Sequence, residues 1–147
     1  MDITFYKKDE IPEKLENLTI LLKRSFDTID LVDDVIIGLL EEKEIIGAVC
    51  LLPNHKDLTD DDCYLYNFCI REEDRGKGYG KRLLEEAEKY IKKNIYLFVK
   101  KENVPAIRLY NKCKYSVHQA NPTGFIMKKI YTKTYMNINK ALNNYKK

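Results

Sequence analysis

Arg75-Gly76-Lys77-Gly78-Tyr79-Gly80 is the stretch on which the reading of this chain turns. It stands between a hydrophobic run, Cys63 to Ile70, and an amphipathic one, Lys81 to Lys93, in which Leu84, Ala87 and Ile91 share one stripe. Strand, glycine loop and helix in that order make an anion site. Glycines take positive φ and let backbone amides approach a ligand. A helix start presents unpaired N–H groups and the positive end of its dipole. A pyrophosphate suits such a site, and Arg75, Lys77, Lys81 and Arg82 add positive charge around it. The GxxxxGK[ST] of a Walker loop is absent. The glycines fall as GxGxG rather than the GxGxxG of a dinucleotide fold, and the next strand ends in Val99 and Lys100 rather than in an acid. The same turn also arises for purely structural reasons, so this element alone leaves both readings open.

Outward from the loop, Ile95 to Val99 reads as a strand, and Asn103 caps a helix over Val104 to Cys113 with Pro105 in its first turn. Tyr115–Ala120 and Gly124–Ile130 form a final hairpin around Asn121, Pro122 and Thr123. Upstream, Asp2 to Tyr6 alternates as a first strand, and Pro12 opens a helix carrying Leu15, Leu18, Leu22 and Phe26 at helical spacing. Asp27 to Asp34 is an acidic connection with room for a short second helix. Val35–Leu40 and Glu44–Leu52 make a hairpin through Glu41, Glu42 and Lys43. In Cys63–Ile70, period-two alternation puts Tyr64, Tyr66, Phe68 and Ile70 on one face. Strands and helices interleave, which predicts an α/β domain around one sheet over residues 1–131, with 132–147 a basic C-terminal tail, helical or disordered.

Composition bounds the function. The chain has 147 residues, 44% apolar and 33% charged, which is a globular composition for one domain. Of its net charge of +3, four lysines belong to the acid-free tail Thr132–Lys147, which leaves the body at −1. A nearly neutral body argues against a nucleic-acid partner. No stretch approaches the ~20 apolar residues of a membrane span. Charges at Asp2, Lys7, Lys8, Asp9 and Glu10 with no apolar core between them predict no secretory address. Cys50, Cys63, Cys69 and Cys113 form no CxxC pair, and His55 and His118 complete no metal spacing. Reduced, buried cysteines in a cytoplasmic protein without a metal are the expectation.

A second motif is specific where the first is not. Asn103-Val104-Pro105-Ala106-Ile107-Arg108-Leu109-Tyr110-Asn111-Lys112 follows the strand after the glycine-loop helix. With it the chain resembles the GNAT N-acetyltransferases. Their [RQ]xxGx[GA] loop is matched by Arg75, Gly78 and Gly80. Their NxxAxxLYxKxGF motif is matched by Asn103, Ala106, Leu109, Tyr110 and Lys112. The resemblance extends in element order from the first strand to about Ile130. It implies the GNAT acyl-CoA N-acyltransferase fold, a bent mixed sheet of about six or seven strands with helices on both faces. It implies acetyl-CoA as co-substrate and an amine as acceptor. Backbone groups of Phe68, Cys69 and Ile70 then pair with the pantetheine arm. Arg75, Gly76, Lys77, Gly78, Tyr79, Gly80 and Lys81 hold the pyrophosphate. Asn103, Ala106, Tyr110 and Lys112 belong to the cofactor side, with Asn103 and Tyr110 facing the thioester. Tyr110 takes the catalytic role, its phenol giving a proton to the departing thiolate. Transfer is direct within a ternary complex, by a monomer or a homodimer. A non-catalytic acetyl-CoA-binding module and an acetyltransferase of protein amines are the alternatives.

Two departures from the family pattern matter. Lys114 and Tyr115 replace the Gly-Phe pair, a substitution that costs about 1 kcal/mol if the backbone at 114 is left-handed. The early position of the fourth strand, often a glutamate base, holds Tyr64. A water chain, a substrate carboxylate, a Tyr64/Tyr66 relay, or an acid such as Glu42 or Asp62 reaching in from neighbouring elements would have to serve instead. Two acidic segments, Asp27/Asp30/Asp33/Asp34 and Asp57/Asp60/Asp61/Asp62, are expected to flank the acceptor and favour a small cationic amine. The short turn at Asn121–Thr123 predicts an open cleft.

Overall fold

In the computed structural model, which describes residues 1–53 and 57–132, the chain runs β1 (Asp2–Lys7), α1 (Leu15–Lys23), β2 (Ile36–Glu41), β3 (Ile45–Leu52), β4 (Asp62–Ile70), α2 (Tyr79–Ile91), β5 (Asn94–Lys100), α3 (Val104–Lys112), β6 (Ser116–Ala120) and β7 (Gly124–Lys129). The expectation for the tail lies, from residue 133 on, outside the described residues. The seven strands make one mixed sheet in the order β1-β2-β3-β4-β5-β7-β6. Only β4 and β5 pair in parallel, because α2 carries the chain across between them. β2 and β3 read as near-continuous apolar runs because both of their faces are covered.

Two cores lie on opposite faces of the sheet. On one, Leu83, Leu84 and Ala87 of α2 and Tyr110 of α3 pack on Leu65, Ile70, Leu97 and Val99. On the other, Leu18, Leu21 and Leu22 of α1 cover Ile37, Leu39, Ala48 and Cys50. All four cysteines are buried and free. Among the described residues, no helix is long and apolar enough to cross a membrane, and no cluster of three or more His, Cys, Asp or Glu is placed to hold a metal.

Several local expectations need correction. No helix forms over Asp27–Asp34. That segment's carbonyls are drawn sideways instead: Thr28 accepts from Asn67 Nδ2 (3.4 Å) and Asp30 from the Tyr66 hydroxyl (2.8 Å). Its apolar residues Ile29, Leu31 and Val32 pack on the α1-side core as irregular chain. α1 stops at Lys23, so Phe26 joins the same core from beyond the helix. α2 begins at Tyr79 rather than Lys81, because left-handed Gly78 (φ 84°) serves as its N-cap. The four large residues of β4 do not share a face. Asn67 sits at φ 45°, and the register against β3 slips between Ala48 and Cys50. This bulge turns Phe68 and Ile70 toward the α2/α3 core while Tyr66 packs on the α1 side.

The bulge also opens the sheet. β4 and β5 pair from Asp62↔Asn94 to Leu65↔Leu97, and the pairing ends there. Beyond Leu65, β4 continues on β3 alone and β5 on β7 alone. The C-terminal halves of two central neighbours thus diverge and leave a gap with an unpaired strand edge on each side.

Candidate active site

The glycine loop sits at the mouth of this gap. β4 ends at Ile70, one 3-10 turn covers Glu72–Asp74, and Gly78 starts α2. Gly76 (φ 79°) and Gly78 (φ 84°) are both left-handed, and a Cβ built at either meets nothing within 4 Å. The loop is therefore an open cradle whose shape needs glycine for backbone reasons. The first intrahelical bond of α2 runs from Arg82 N–H to the Gly78 carbonyl (3.2 Å). The amides of Tyr79, Gly80 and Lys81 precede it and face the end of the helix. Gly80 lies close under α3 and β4, where a Cβ would sit 3.4 Å from Leu109 and 3.7 Å from Phe68. Anion donors, room for an anion and a nearby unpaired strand edge thus coincide.

Asp74 organises the cationic side chains of the loop. Its carboxylate accepts from Arg71 Nε and from Lys77 Nζ (3.1 Å), and the Arg71 guanidinium holds its pKa below the ordinary carboxylate value. Arg75 folds back, with Nε on the Ile70 carbonyl (3.0 Å) and a terminal nitrogen on Ser25 Oγ (3.4 Å), which ties the end of α1 to the loop. Arg82 turns away to the Met1 carbonyl (2.8 Å). Lys81 is exposed, 3.8 Å from Glu85. The side chains of Lys77, Arg75 and Arg82 thus all have partners within the protein, and the backbone supplies the anion cradle.

On β4, Arg71 N–H donates to the Ile46 carbonyl (2.8 Å), and Cys69 pairs with Ala48. By strand alternation the N–H of Ile70 faces the gap, and its carbonyl, on the same side, accepts from Arg75 Nε (3.0 Å). The backbone of Cys69 faces β3 instead, so of the three residues expected to pair with a ligand Ile70 presents its N–H there, and Phe68 lies at the bulge. Burial pushes the Cys69 thiol up to about 11, which keeps it protonated and a poor nucleophile.

α3 brings Tyr110 to the far wall. Tyr110 is 6% exposed, its ring 6.3 Å from Phe68 and 5.7 Å from Tyr115. Burial pushes its phenol well above the ordinary value. Asn103 is exposed, its Oδ1 accepting from Ala106 N–H (3.3 Å) as the cap of α3. Ala106 is half-buried against the α2/α3 core, and Lys112 is exposed at the end of α3.

The candidates for an internal base are not brought together. Asp62 lies at the start of β4, where burial raises its pKa but hydrogen bonds from Asn94 (3.0 Å) and Thr59 (2.8 Å) outweigh this and hold it low. Glu42 is exposed in the β2–β3 turn. The Tyr66 hydroxyl donates to the Asp30 carbonyl, and burial pushes both Tyr64 and Tyr66 up. The two acidic segments also separate. Thr28 to Asp30 lies against the bulge, whereas Asp60 and Asp61 are bound by Lys93 and Asn94 at the opposite end of β4. Sequence reasoning missed the bulge, although an asparagine inside an apolar strand is a residue that tolerates left-handed backbone. It also missed the Ser25 contact to Arg75 and the pairing of Tyr115 with Glu88, for which no local pattern exists.

Comparison with known proteins gives the family and the fold. The model of the acetyltransferase (GNAT) family matches residues 5–115. The spermine/spermidine N(1)-acetyltransferase of Bacillus subtilis (strain 168) is 36% identical over 84 residues, a match spanning 52% of this chain and 55% of that relative. The PaiA N-acetyltransferase from Thermoplasma acidophilum, solved in complex with coenzyme A, superposes with a TM-score of 0.70 at 22% identity, covering 89% of this chain and 100% of that one. An acetyltransferase of the GNAT family from Streptococcus pneumoniae gives 0.68 at 18% identity, over 88% and 99% of the two chains. At such identities the two structures speak for the fold.

Proposed function

The chain belongs to the GNAT acetyltransferase family, and from that membership we propose that it transfers an acetyl group from acetyl-CoA to a primary amine, in a ternary complex, with a small cationic amine as acceptor. The observation that carries this reading is the coincidence of the glycine cradle with the open edge of β4 beside it. The pyrophosphate lies on the amides at the start of α2. The pantetheine arm runs along Phe68 and Ile70 as an added strand. Its thioester then comes up to Tyr110.

The chemistry follows from the side chains present. The amine attacks the thioester carbonyl, the C–S bond breaks, and the sulfur leaves as a thiolate. Tyr110, held protonated by burial, gives that sulfur its proton. A thiolate formed in the same desolvated wall is itself made more basic, so the transfer is not opposed by the raised phenol pKa. The attacking amine sheds its proton to water, since Tyr64 and Tyr66 are held protonated. No acyl-enzyme is needed, because the free amine is a sufficient nucleophile.

The acceptor class rests on two supports. The Thr28–Asp30 segment lies against the bulge, with Asp27, Asp30, Asp33 and Asp34 along that connection. The relative from Bacillus subtilis is named for spermine and spermidine. Release of CoA thiol is the assay, with a diamine, a neutral-tailed monoamine and an amino acid compared at fixed ionic strength. The diamine should have the highest kcat/KM, and added salt should reduce its advantage. Equal values across the three, insensitive to salt, refute a cationic acceptor. No thiol release with any amine, with acetyl-CoA bound, refutes the enzyme.

A further inference from the structure

Behind Tyr110 lies a group of side chains that the transfer reaction does not itself require. Tyr115 is 3% exposed, and its hydroxyl donates to Glu88 Oε2 (2.8 Å). Lys129 Nζ donates to Glu88 Oε1 (2.9 Å) and stands 5.7 Å from the centre of the Tyr115 ring. Glu88 belongs to α2, Lys129 ends β7, and Tyr115 leads into β6. One carboxylate thus joins three elements, in a place where the family motif has a phenylalanine that could not take part.

Tyr115 is also the residue that holds Tyr110. Its N–H donates to the Tyr110 carbonyl (2.9 Å), and Lys114 N–H donates to that of Asn111 (3.1 Å), which together close the end of α3. Lys114 supplies the left-handed residue of this closure at φ 73°, where a side chain is strained. A strained residue persists when its surroundings over-determine it, and the neighbouring Tyr115 anchor does so. Among the described residues the Tyr110 hydroxyl makes no hydrogen bond. Its aim is therefore set by ring packing between Phe68 and Tyr115.

We infer that Tyr115, bolted to Glu88 and Lys129, is a positioning residue that fixes the aim of the Tyr110 phenol into the gap. The inference rests on Tyr110 being the proton donor. The physical reason for its size is that a proton donor displaced by a fraction of an ångström loses much of its effect.

The test is a double-mutant cycle on the full chain. Tyr115→Phe keeps the ring and restores the family residue, so the fold should survive, as circular dichroism will check. It should lower kcat about tenfold and leave KM for acetyl-CoA within about twofold. In a Tyr110→Phe background the same change should have no further effect on kcat, since there is no phenol left to aim. Tyr115→Phe with kcat within twofold of wild type overturns the inference. So does a loss confined to KM, or an equal loss in the Tyr110→Phe background. A Tyr110→Phe single variant with wild-type kcat instead marks the failure of the donor assignment, and is read from that variant alone.

Discussion

Replacing Gly78 by glutamate tests the phosphate cradle most directly, provided the backbone cost is separated from the charge. Gly78 is left-handed at φ 84° and ψ 4°, so any side chain there costs about 1–2 kcal/mol in folding. The cost is nearly the same for alanine and glutamate, because a Cβ at this site meets nothing within 4 Å. Both variants should lose thermal stability together, by about 3–8 °C for a chain of this length. The strain is present with and without ligand, so Gly78→Ala should bind acetyl-CoA nearly as wild type does. Gly78→Glu adds a carboxylate beside the anion. At a separation of about 5 Å and an effective dielectric of about 40 at this exposed loop, Coulomb's law gives about 1.7 kcal/mol per pair of charges. With two charges on the pyrophosphate and screening by salt, about 1.5–3 kcal/mol remains, or roughly ten- to a hundredfold in Kd. Calorimetric titration of acetyl-CoA into both variants at low and high salt measures the difference. If the glutamate variant binds within threefold of the alanine variant at low salt, the pyrophosphate does not lie on this loop.

The other predictions concern chemistry and stability. Tyr110→Phe should lower kcat by about 10²–10⁴ while leaving acetyl-CoA affinity unchanged, and a kcat within about twofold of wild type removes the tyrosine from the donor role. A phenol whose pKa is raised stays protonated to higher pH, so Tyr110 should produce no alkaline fall in kcat below about pH 10. With the amine losing its own proton to water, log kcat/KM should rise about one unit per pH unit from about pH 7 to 9, and a plateau near pH 7 would reveal a base in the protein. Lys114→Gly relieves a left-handed side chain at φ 73° and should stabilise the chain by about 0.5–1 kcal/mol, read as a higher melting temperature with unchanged kcat.

The sequence by itself determined whatever is written in local spacing. The glycine loop between a strand and an amphipathic helix, the capped helix that carries Tyr110, and the strained residue at Lys114 each depend on a few neighbouring side chains and their backbone preferences. Even there the reach was limited, since Gly78 started α2 two residues before the apolar stripe announced it. Tertiary structure alone decided which groups the gap exposes. The bulge at Asn67 came from fitting β4 against β3, and it reversed the facing of Phe68 and Ile70. The same pairing turned the backbone of Cys69 away and left the N–H of Ile70 facing the gap. Two partners of the loop cations come from distant parts of the chain: Ser25 meets Arg75, and Met1 meets Arg82. Asp62 is engaged at the wrong end of its strand, and Asn103 is held by its own helix. Glu88 finds Tyr115 and Lys129 only once α2, β6 and β7 have docked. Spacing along the chain records turns and faces, because those are set within a few residues. It does not record which polar group satisfies which across the sheet, because that is settled by burial after the elements meet.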